Sequence, residues 1–365
     1  MKILILSANT GNGHNAAAQA LTAQLGRLGA VCETLDALSL ISPRTSRLVS
    51  VGHNYLYRHH PHLFGVGYRF EERHKPRLIC QQCARGAEAL EKHLAVGGFD
   101  ALIAVHVFAA LMLTALRREG KRTPPAYFVA TDYTCSPGVS ETQMDGYFIP
   151  HRLLTDEFLR AGIDRRLLFP TGIPIADAFY NRGDRSRLRP SLGIGDEHPV
   201  VLLSCGSMGC GKLERHAVAV ANALPAQAVL QVLCGRNQRL QAALSALGDP
   251  RIRPVGFTDR MPAYLSVADL YITKAGGLSV SEALAMQTPM ICVDVIRGLE
   301  TRNFDFLIQN GVAAGVRKWS QLPALIREQL SHPRSQIAEK AKDFLPPNAA
   351  QAIADHVIRS IPNKK

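Results

Sequence analysis

Leu270-Tyr-Ile-Thr-Lys-Ala-Gly-Gly-Leu-Ser-Val-Ser-Glu-Ala-Leu284 is the stretch from which the rest of the chain can be read. A short apolar run ends at Thr273, Lys274 and Gly276-Gly277 follow, and helical spacing opens near Ser279. Strand, glycine turn and helix in that order are the repeating unit of a parallel sheet. The same unit opens the chain. Lys2 to Ser7 is apolar, Asn9, Thr10, Gly11, Asn12 and Gly13 close it, Ala16 to Leu28 has helical spacing, and Val31 to Leu35 reads as a second strand. Ala101 to Val105 and Tyr127 to Ala130 are further strands with polar loops behind them. After the turn Thr171-Gly-Ile-Pro174 and the polar segment Asn181 to Pro190 the pattern restarts. Strands are expected at Pro199 to Ser204, Ala228 to Leu233, Leu270 to Thr273 and Met290 to Val293.

The expectation is therefore an α/β protein of two Rossmann-like, doubly wound domains facing a central cleft. Residues 1–172 form the first and 173–345 the second; 346–365 carry a last amphipathic helix (Asn348 to Ile361) that returns to the first. Ligands in such sheets bind outside the carboxyl ends of the strands.

Composition agrees. A chain of 365 residues at roughly 150 per domain has room for about two. With 47% hydrophobic and 20% charged residues it is neither a disordered chain nor a disulfide scaffold. The longest apolar stretch, Ala101 to Leu116, carries His106 and falls short of the ~20 residues of a membrane span. The apolar run at the N-terminus is too short for a secretory signal, so the eight cysteines are expected reduced and the protein cytoplasmic. Cys80-x-x-Cys83 has no second pair at zinc spacing, so helix packing is expected there and no metal.

The formal charge is +12, from 42 Lys+Arg against 30 Asp+Glu. Between Arg44 and Lys92 stand nine basic against four acidic residues, interleaved with Tyr55, Tyr57, Phe64, Tyr68 and Phe70. One reading is a solvated face. The other is a patch for anionic headgroups, with Arg69, Arg73, Lys75 and Arg77 at its centre and about 1 kcal/mol per basic residue near such a surface. No RNP-like, zinc-finger or helix-turn-helix signature accompanies the charge, so nucleic acid is not expected as a partner.

Four loops can carry chemistry. In Ser7-Ala-Asn-Thr-Gly-Asn-Gly-His14, Gly11 and Gly13 permit close backbone approach. Gly11-x-Gly13-x-x-Ala16 with Glu33 about 20 residues on also fits a dinucleotide fingerprint. His14 at a helix N-terminus is disfavoured as a cation and tends to stay neutral, the state of a general base; the other reading is a histidine that simply caps or packs. In Val201 to Gly209, Gly206 and Ser207 suit a diphosphate or simply a tight turn. Lys274 with Gly276-Gly277 and Ser279 suits a phosphorylated group, and Glu282 either two ribose hydroxyls or the helix dipole. Glu300 and Asn303 sit one helical turn apart and can face hydroxyls. His106 and Asp132 each follow a strand; Asp132 is placed to orient His14 or to act as base itself.

Taken together, Gly206-Ser207-x-Gly209, Phe257-x-x-x-Met261, Gly276-Gly277-Leu-Ser-Val-Ser-Glu282 and Glu300-x-x-Asn303 resemble glycosyltransferase family 28, of GT-B fold, in order and spacing. Gly13-His14-x-Ala-Ala resembles that family's acceptor-side loop. Val129-Ala-Thr-Asp-Tyr133 and Asp145-Gly-Tyr-Phe-Ile149 resemble its glycolipid branch, which makes galactosyl- and glucosyl-diacylglycerols. The resemblance implies an inverting, metal-free transfer of a hexose from a UDP-sugar, with no cofactor, to diacylglycerol at the inner face of the cell membrane. It implies that Phe257 and Met261 frame uracil, Glu282 holds ribose, and Ser207, Lys274 and the Gly276-Gly277 helix start hold diphosphate. Glu300 and Asn303 would read the hexose and His14 would take the acceptor proton. A polyprenyl-diphosphate acceptor, an NAD(P) oxidoreductase and a non-catalytic UDP-sugar sensor are the competing readings.

Overall fold

The computed structural model describes residues 1–9, 12–42, 77–195, 198–205, 213–293, 299–332 and 334–361. Of the residues singled out above, Gly11, Gly206, Ser207, Arg69, Arg73 and Lys75 lie outside the described residues. The chain forms two compact units. One holds the described residues up to Ala176 together with those from Pro346 onward; the other holds Asp177–Leu345.

The first unit is a six-stranded parallel sheet. Its strands are β1 (Lys2–Ser7), β2 (Val31–Asp36), β3 (Ala101–Ala104), β4 (Ala126–Val129), β5 (Gly146–Phe148) and β6 (Leu168–Phe169), in the order β2-β1-β3-β4-β5-β6. Helices α1 (Asn12–Arg27), α2 (Ala37–Ile41), α3 (Arg77–Gly97), α4 (Val107–Arg118) and α5 (Thr155–Arg160) belong to it. The direction of connection reverses between β1 and β3, which makes that pair the switch point. Cys83 is buried in α3, and Arg77 is that helix's first residue.

The second unit is also six-stranded and parallel. Its strands are β7 (Val200–Ser204), β8 (Val229–Gly235), β9 (Ile252–Gly256), β10 (Leu270–Lys274), β11 (Met290–Val293) and β12 (Ala314–Val316). The order β12-β11-β10-β7-β8-β9 is that of the dinucleotide-binding sheets, with the switch point between β7 and β10. Its helices are α6 (Arg185–Ser191), α7 (Leu213–Ala223), α8 (Gln238–Ala246), α9 (Met261–Val267), α10 (Gly277–Ala285), α11 (Leu299–Gln309), α12 (Leu322–Ser331) and α13 (Arg334–Phe344). The central strands β7 and β10 are buried almost throughout, as a sheet covered on both faces requires.

Two local readings differ from the sequence pattern. The arginine-rich segment Asn181 to Pro190 contains α6. Asp184 caps that helix through the Ser186 amide (2.9 Å), and Pro190, which has no amide hydrogen, stands at its end. Helix α10 opens at Gly277, two residues before Ser279.

The C-terminal helix α14 (Ala349–Ser360) completes the core of the first unit. Ala350, Ile353, Ala354 and Val357 are fully buried with Leu21 and Leu25 of α1 and with Ile3, Ile5 and Val129 of the sheet. Ile353 and Val357 each contribute about 1.5–3 kcal/mol by leaving water. Tyr127 Oη donates to Ser360 Oγ (2.6 Å), and His356 packs on Phe169, Phe148 and Tyr127.

Gly172 guards this docking. Its φ is +94°, and a Cβ there would lie 3.2 Å from the Ala349 Cβ. Gly172→Ala is expected to cost about 1–3 kcal/mol in chemical denaturation, through strain and displacement of α14. Gly26→Ala, in α1 with open space at its Cβ, is expected to stabilise by about 0.5–1 kcal/mol.

Candidate functional site

In the second unit the register pairs Thr273 with Ser204, so the carboxyl ends of β10 and β7 lie side by side. Gly276 is the N-cap of α10 and has no side chain with which to cap it. The first turn carries no acidic residue. The amides of Gly277, Leu278 and Ser279 thus belong to an uncapped helix start at the switch point, where the dipole favours an anion.

Glu282 is the sixth residue of α10, in its second turn. The helix-dipole reading therefore fails, since that effect fades within the first turn. Burial pushes its carboxyl up to about 8, so it is mostly protonated at neutral pH. A partly buried carboxyl with a raised pKa in a helix at the sheet's switch point has the environment of a binding group.

Lys274, the last residue of β10, is hydrogen-bonded and ion-paired with Glu300 in the first turn of α11. Asn303, fully buried, donates from Nδ2 to the Ala275 carbonyl (2.9 Å). Its amide therefore fixes the turn that contains Gly276. Burial, and then the charge of Glu300, pushes the Cys292 thiol up to about 12. Phe257 follows β9 and is 58% exposed, with the Arg236 guanidinium 4.8 Å above its ring. Met261 opens α9.

In the first unit, β1, β3 and β4 deliver His14, His106 and Asp132 to one end of the sheet. His14 is the third residue of α1, and Gly13 the second. Its Nδ1 lies 3.0 Å from the Val105 carbonyl oxygen, which can only accept. Nδ1 therefore carries the hydrogen, and the lone pair sits on Nε2. Thr131 Oγ1, also 3.0 Å from Nδ1, shares that hydrogen. Burial holds His14 below the ordinary histidine value, opposed by the charge of Asp132 and by the Val105 bond. His106 caps α4 by accepting the Phe108 amide on Nδ1 (3.1 Å), so its hydrogen is on Nε2. Its ring meets that of His14 edge-on, centroids 4.6 Å apart.

A polar ladder holds the loop before His14. Ser7 Oγ donates to Asn15 Oδ1 (2.7 Å), Asn15 Nδ2 to Asn9 Oδ1 (2.9 Å), and Asn9 Nδ2 to Asp36 Oδ2 (3.0 Å). Glu33 does not serve this end of the sheet. It lies within β2 and pairs with His93 Nε2 (2.6 Å) and Lys2 Nζ (3.3 Å), so Glu33 is not placed as the ribose acid of a dinucleotide fingerprint.

Sequence reasoning missed Thr131, the Val105 carbonyl, Asn9, Asn15 and Arg236. Thr131 beside Asp132 was the one signal available. A backbone carbonyl as orienting group has no sequence signature. Nor did sequence reasoning pair Lys274 with Glu300, which are 26 positions apart.

The model of the monogalactosyldiacylglycerol synthase family matches residues 14–175, and that of the glycosyltransferase family 28 C-terminal domain matches residues 200–357. The chain is 30% identical over 333 residues to a chloroplastic monogalactosyldiacylglycerol synthase of Spinacia oleracea, covering 85% of this chain and 62% of that protein. It is 25% identical over 381 residues to a processive diacylglycerol beta-glucosyltransferase of Bacillus licheniformis, covering 100% of this chain and 97% of that one. Among solved structures it superposes on MurG of Acinetobacter baumannii with a TM-score of 0.63 at 18% identity, covering 98% of this chain and 99% of that one. The glycosyltransferase of kitacinnamycin gives 0.68 at 15% identity, with 99% of each chain covered. With two parallel-sheet units, these likenesses place the chain in the GT-B fold class.

The pH dependence of stability tests the environment of Glu282. A carboxyl raised to about 8 in the fold releases its proton in the unfolded chain from about pH 4.5 upward, so the folded state loses stability between those values. Glu282→Gln has no proton to lose. Thermal unfolding is expected to find the variant close to the parent at about pH 5 and increasingly more stable than it towards about pH 8.

Proposed function

The chain belongs to glycosyltransferase family 28, and from that premise we propose that it is an inverting hexosyltransferase carrying a hexose from a UDP-sugar to 1,2-diacylglycerol. One observation carries the reading. The family's donor motif falls on the switch point of the second unit, while the match to the monogalactosyldiacylglycerol synthase family begins at His14, on the switch point of the first.

In this reading the second unit holds the donor. The uncapped start of α10 offers amide hydrogens to the diphosphate, whose charge grows as the glycosidic bond breaks. Glu282 accepts from the ribose hydroxyls, Phe257 and Met261 flank the uracil, and Glu300 reads the hexose. The first unit supplies the base. The acceptor hydroxyl oxygen bonds to the anomeric carbon from the face opposite the diphosphate, UDP leaves with the bonding pair, and configuration inverts. The hydroxyl proton goes to Nε2 of His14. Val105 and Thr131 hold the ring through Nδ1, and the negative charge of Asp132 favours the imidazolium that results. The UDP-sugar is itself substrate, and the scheme needs no cofactor and no metal.

We further propose peripheral association with an anionic membrane surface at the inner face of the cell membrane. The basic, aromatic-bearing stretch between Arg44 and Lys92 supports it. No helix among the described residues is long and apolar enough to cross a membrane.

The deciding experiment incubates the chain with labelled UDP-glucose, UDP-galactose and UDP-N-acetylglucosamine and diacylglycerol vesicles, then extracts lipid. Label in lipid is expected from a hexose donor, and its absence with all three would sink the proposal. His14→Ala is expected to lower kcat by about 10²–10⁴-fold. In the parent, the acid limb of the pH–rate profile should lie below the ordinary histidine value. Asp132→Asn removes a charge that raises the His14 pKa, so it should move that limb to still lower pH. Neutralising Arg69, Arg73, Lys75 and Arg77 together should weaken co-sedimentation with vesicles rich in anionic lipid; unchanged binding would remove the membrane surface from the account.

A further inference from the structure

Lys274 has been counted among the groups that meet the diphosphate. The structure gives its ammonium another occupation. Nζ is bonded to Glu300 Oε1, and the two side chains are only 15% and 12% exposed. The pair lies against the backbone at Gly276, where a Cβ would be 3.4 Å from Nζ and 3.9 Å from Oε1. A second link runs parallel to it, from Asn303 to the Ala275 carbonyl. The start of α11 is thus tied twice to the end of β10 and the residue after it, once by charge through Glu300 and once by the amide of Asn303. An ammonium already neutralised by a carboxylate contributes little net charge to a neighbouring anion, whereas the uncapped amides of α10 remain directed to it. Removing one member of an enclosed ion pair leaves the other as an uncompensated charge.

We infer that Lys274 is a positioning residue that acts through Glu300, holding the carboxylate in the orientation that reads the hexose, and that the diphosphate rests on backbone donors instead. The inference depends on the donor reading proposed above and refines it. The hexose and the nucleotide are then recognised by separable groups. Loss of Lys274 should injure recognition of the sugar and spare recognition of UDP.

The test uses the full chain and four variants: Lys274→Met, Lys274→Arg, Glu300→Gln and the double Lys274→Met/Glu300→Gln. UDP affinity is measured by calorimetry and donor KM and kcat by turnover. For Lys274→Met we expect UDP affinity within about twofold of the parent and a loss of about tenfold or more in kcat/KM for the UDP-hexose, the scale of one charge-assisted contact. Lys274→Arg should restore most of that loss. The double variant should lose no more than Glu300→Gln alone, because both changes remove one device. Should Lys274→Met not fold, the double variant, which buries no lone charge, decides. UDP affinity like the parent's upholds the inference, and UDP affinity reduced tenfold overturns it. A Lys274→Met variant that loses UDP as strongly as UDP-hexose also overturns it. If the parent itself neither binds UDP nor turns over any hexose donor, the donor reading falls first and this inference with it.

Discussion

Parallel pairing across a reversal of connection is the constraint on which everything else in this protein rests. When β7 pairs with β10 in place of a strand next to it in sequence, the two loops that leave their carboxyl ends have no crossover helix between them. The same holds for β1 and β3 in the first unit, where the Val105 amide still donates to Leu6 (3.0 Å) just past the last paired residues. Sheet hydrogen bonding, not loop sequence, therefore decides which functional groups become neighbours. His14 meets the Val105 carbonyl because Leu6 is in register with Ala104.

At each switch point one ionisable group is displaced from its ordinary behaviour, and in each case desolvation is the largest cause. His14 is held neutral and Glu282 is held protonated. In the proposed reaction the two shifts do different work. A neutral imidazole whose Nδ1 hydrogen is committed to a carbonyl has one basic nitrogen and one orientation, which is what proton transfer asks of it. A partly desolvated carboxyl becomes a good acceptor once a polar ligand takes the place of the solvent it lacks. The carboxylate of Glu300 follows a different rule, since a cation, not a proton, offsets its charge.

The sequence made the sheets legible because strands buried on both faces are continuous apolar runs, and glycine turns separate them from helices. It also made legible which loops gather at one edge of each sheet. Gly276-Gly277, Glu282 and His14 stand where strand meets helix, and a strand-to-helix turn in a parallel sheet always points to the same edge. What stayed hidden was pairing. Sequence alone reads Lys274 and Glu300 separately and gives them different ligands, and it does not show the bond from Asn303 Nδ2 to the Ala275 carbonyl. Such partnerships depend on how far α11 reaches across β11, which no local pattern encodes. The segment Asn181 to Pro190 reads as polar connection because α6 is short and its arginines mask its period.

The helix α14 has a consequence for how the molecule is made. The sheet of the first unit is built from residues translated early, yet Ile353 and Val357 seal it only after the whole second unit has been synthesised. Until then Leu21, Leu25 and their neighbours lack the helix that covers them. A nascent chain of this kind carries an open hydrophobic face throughout translation of its second half, the kind of exposed apolar surface from which misassembly starts.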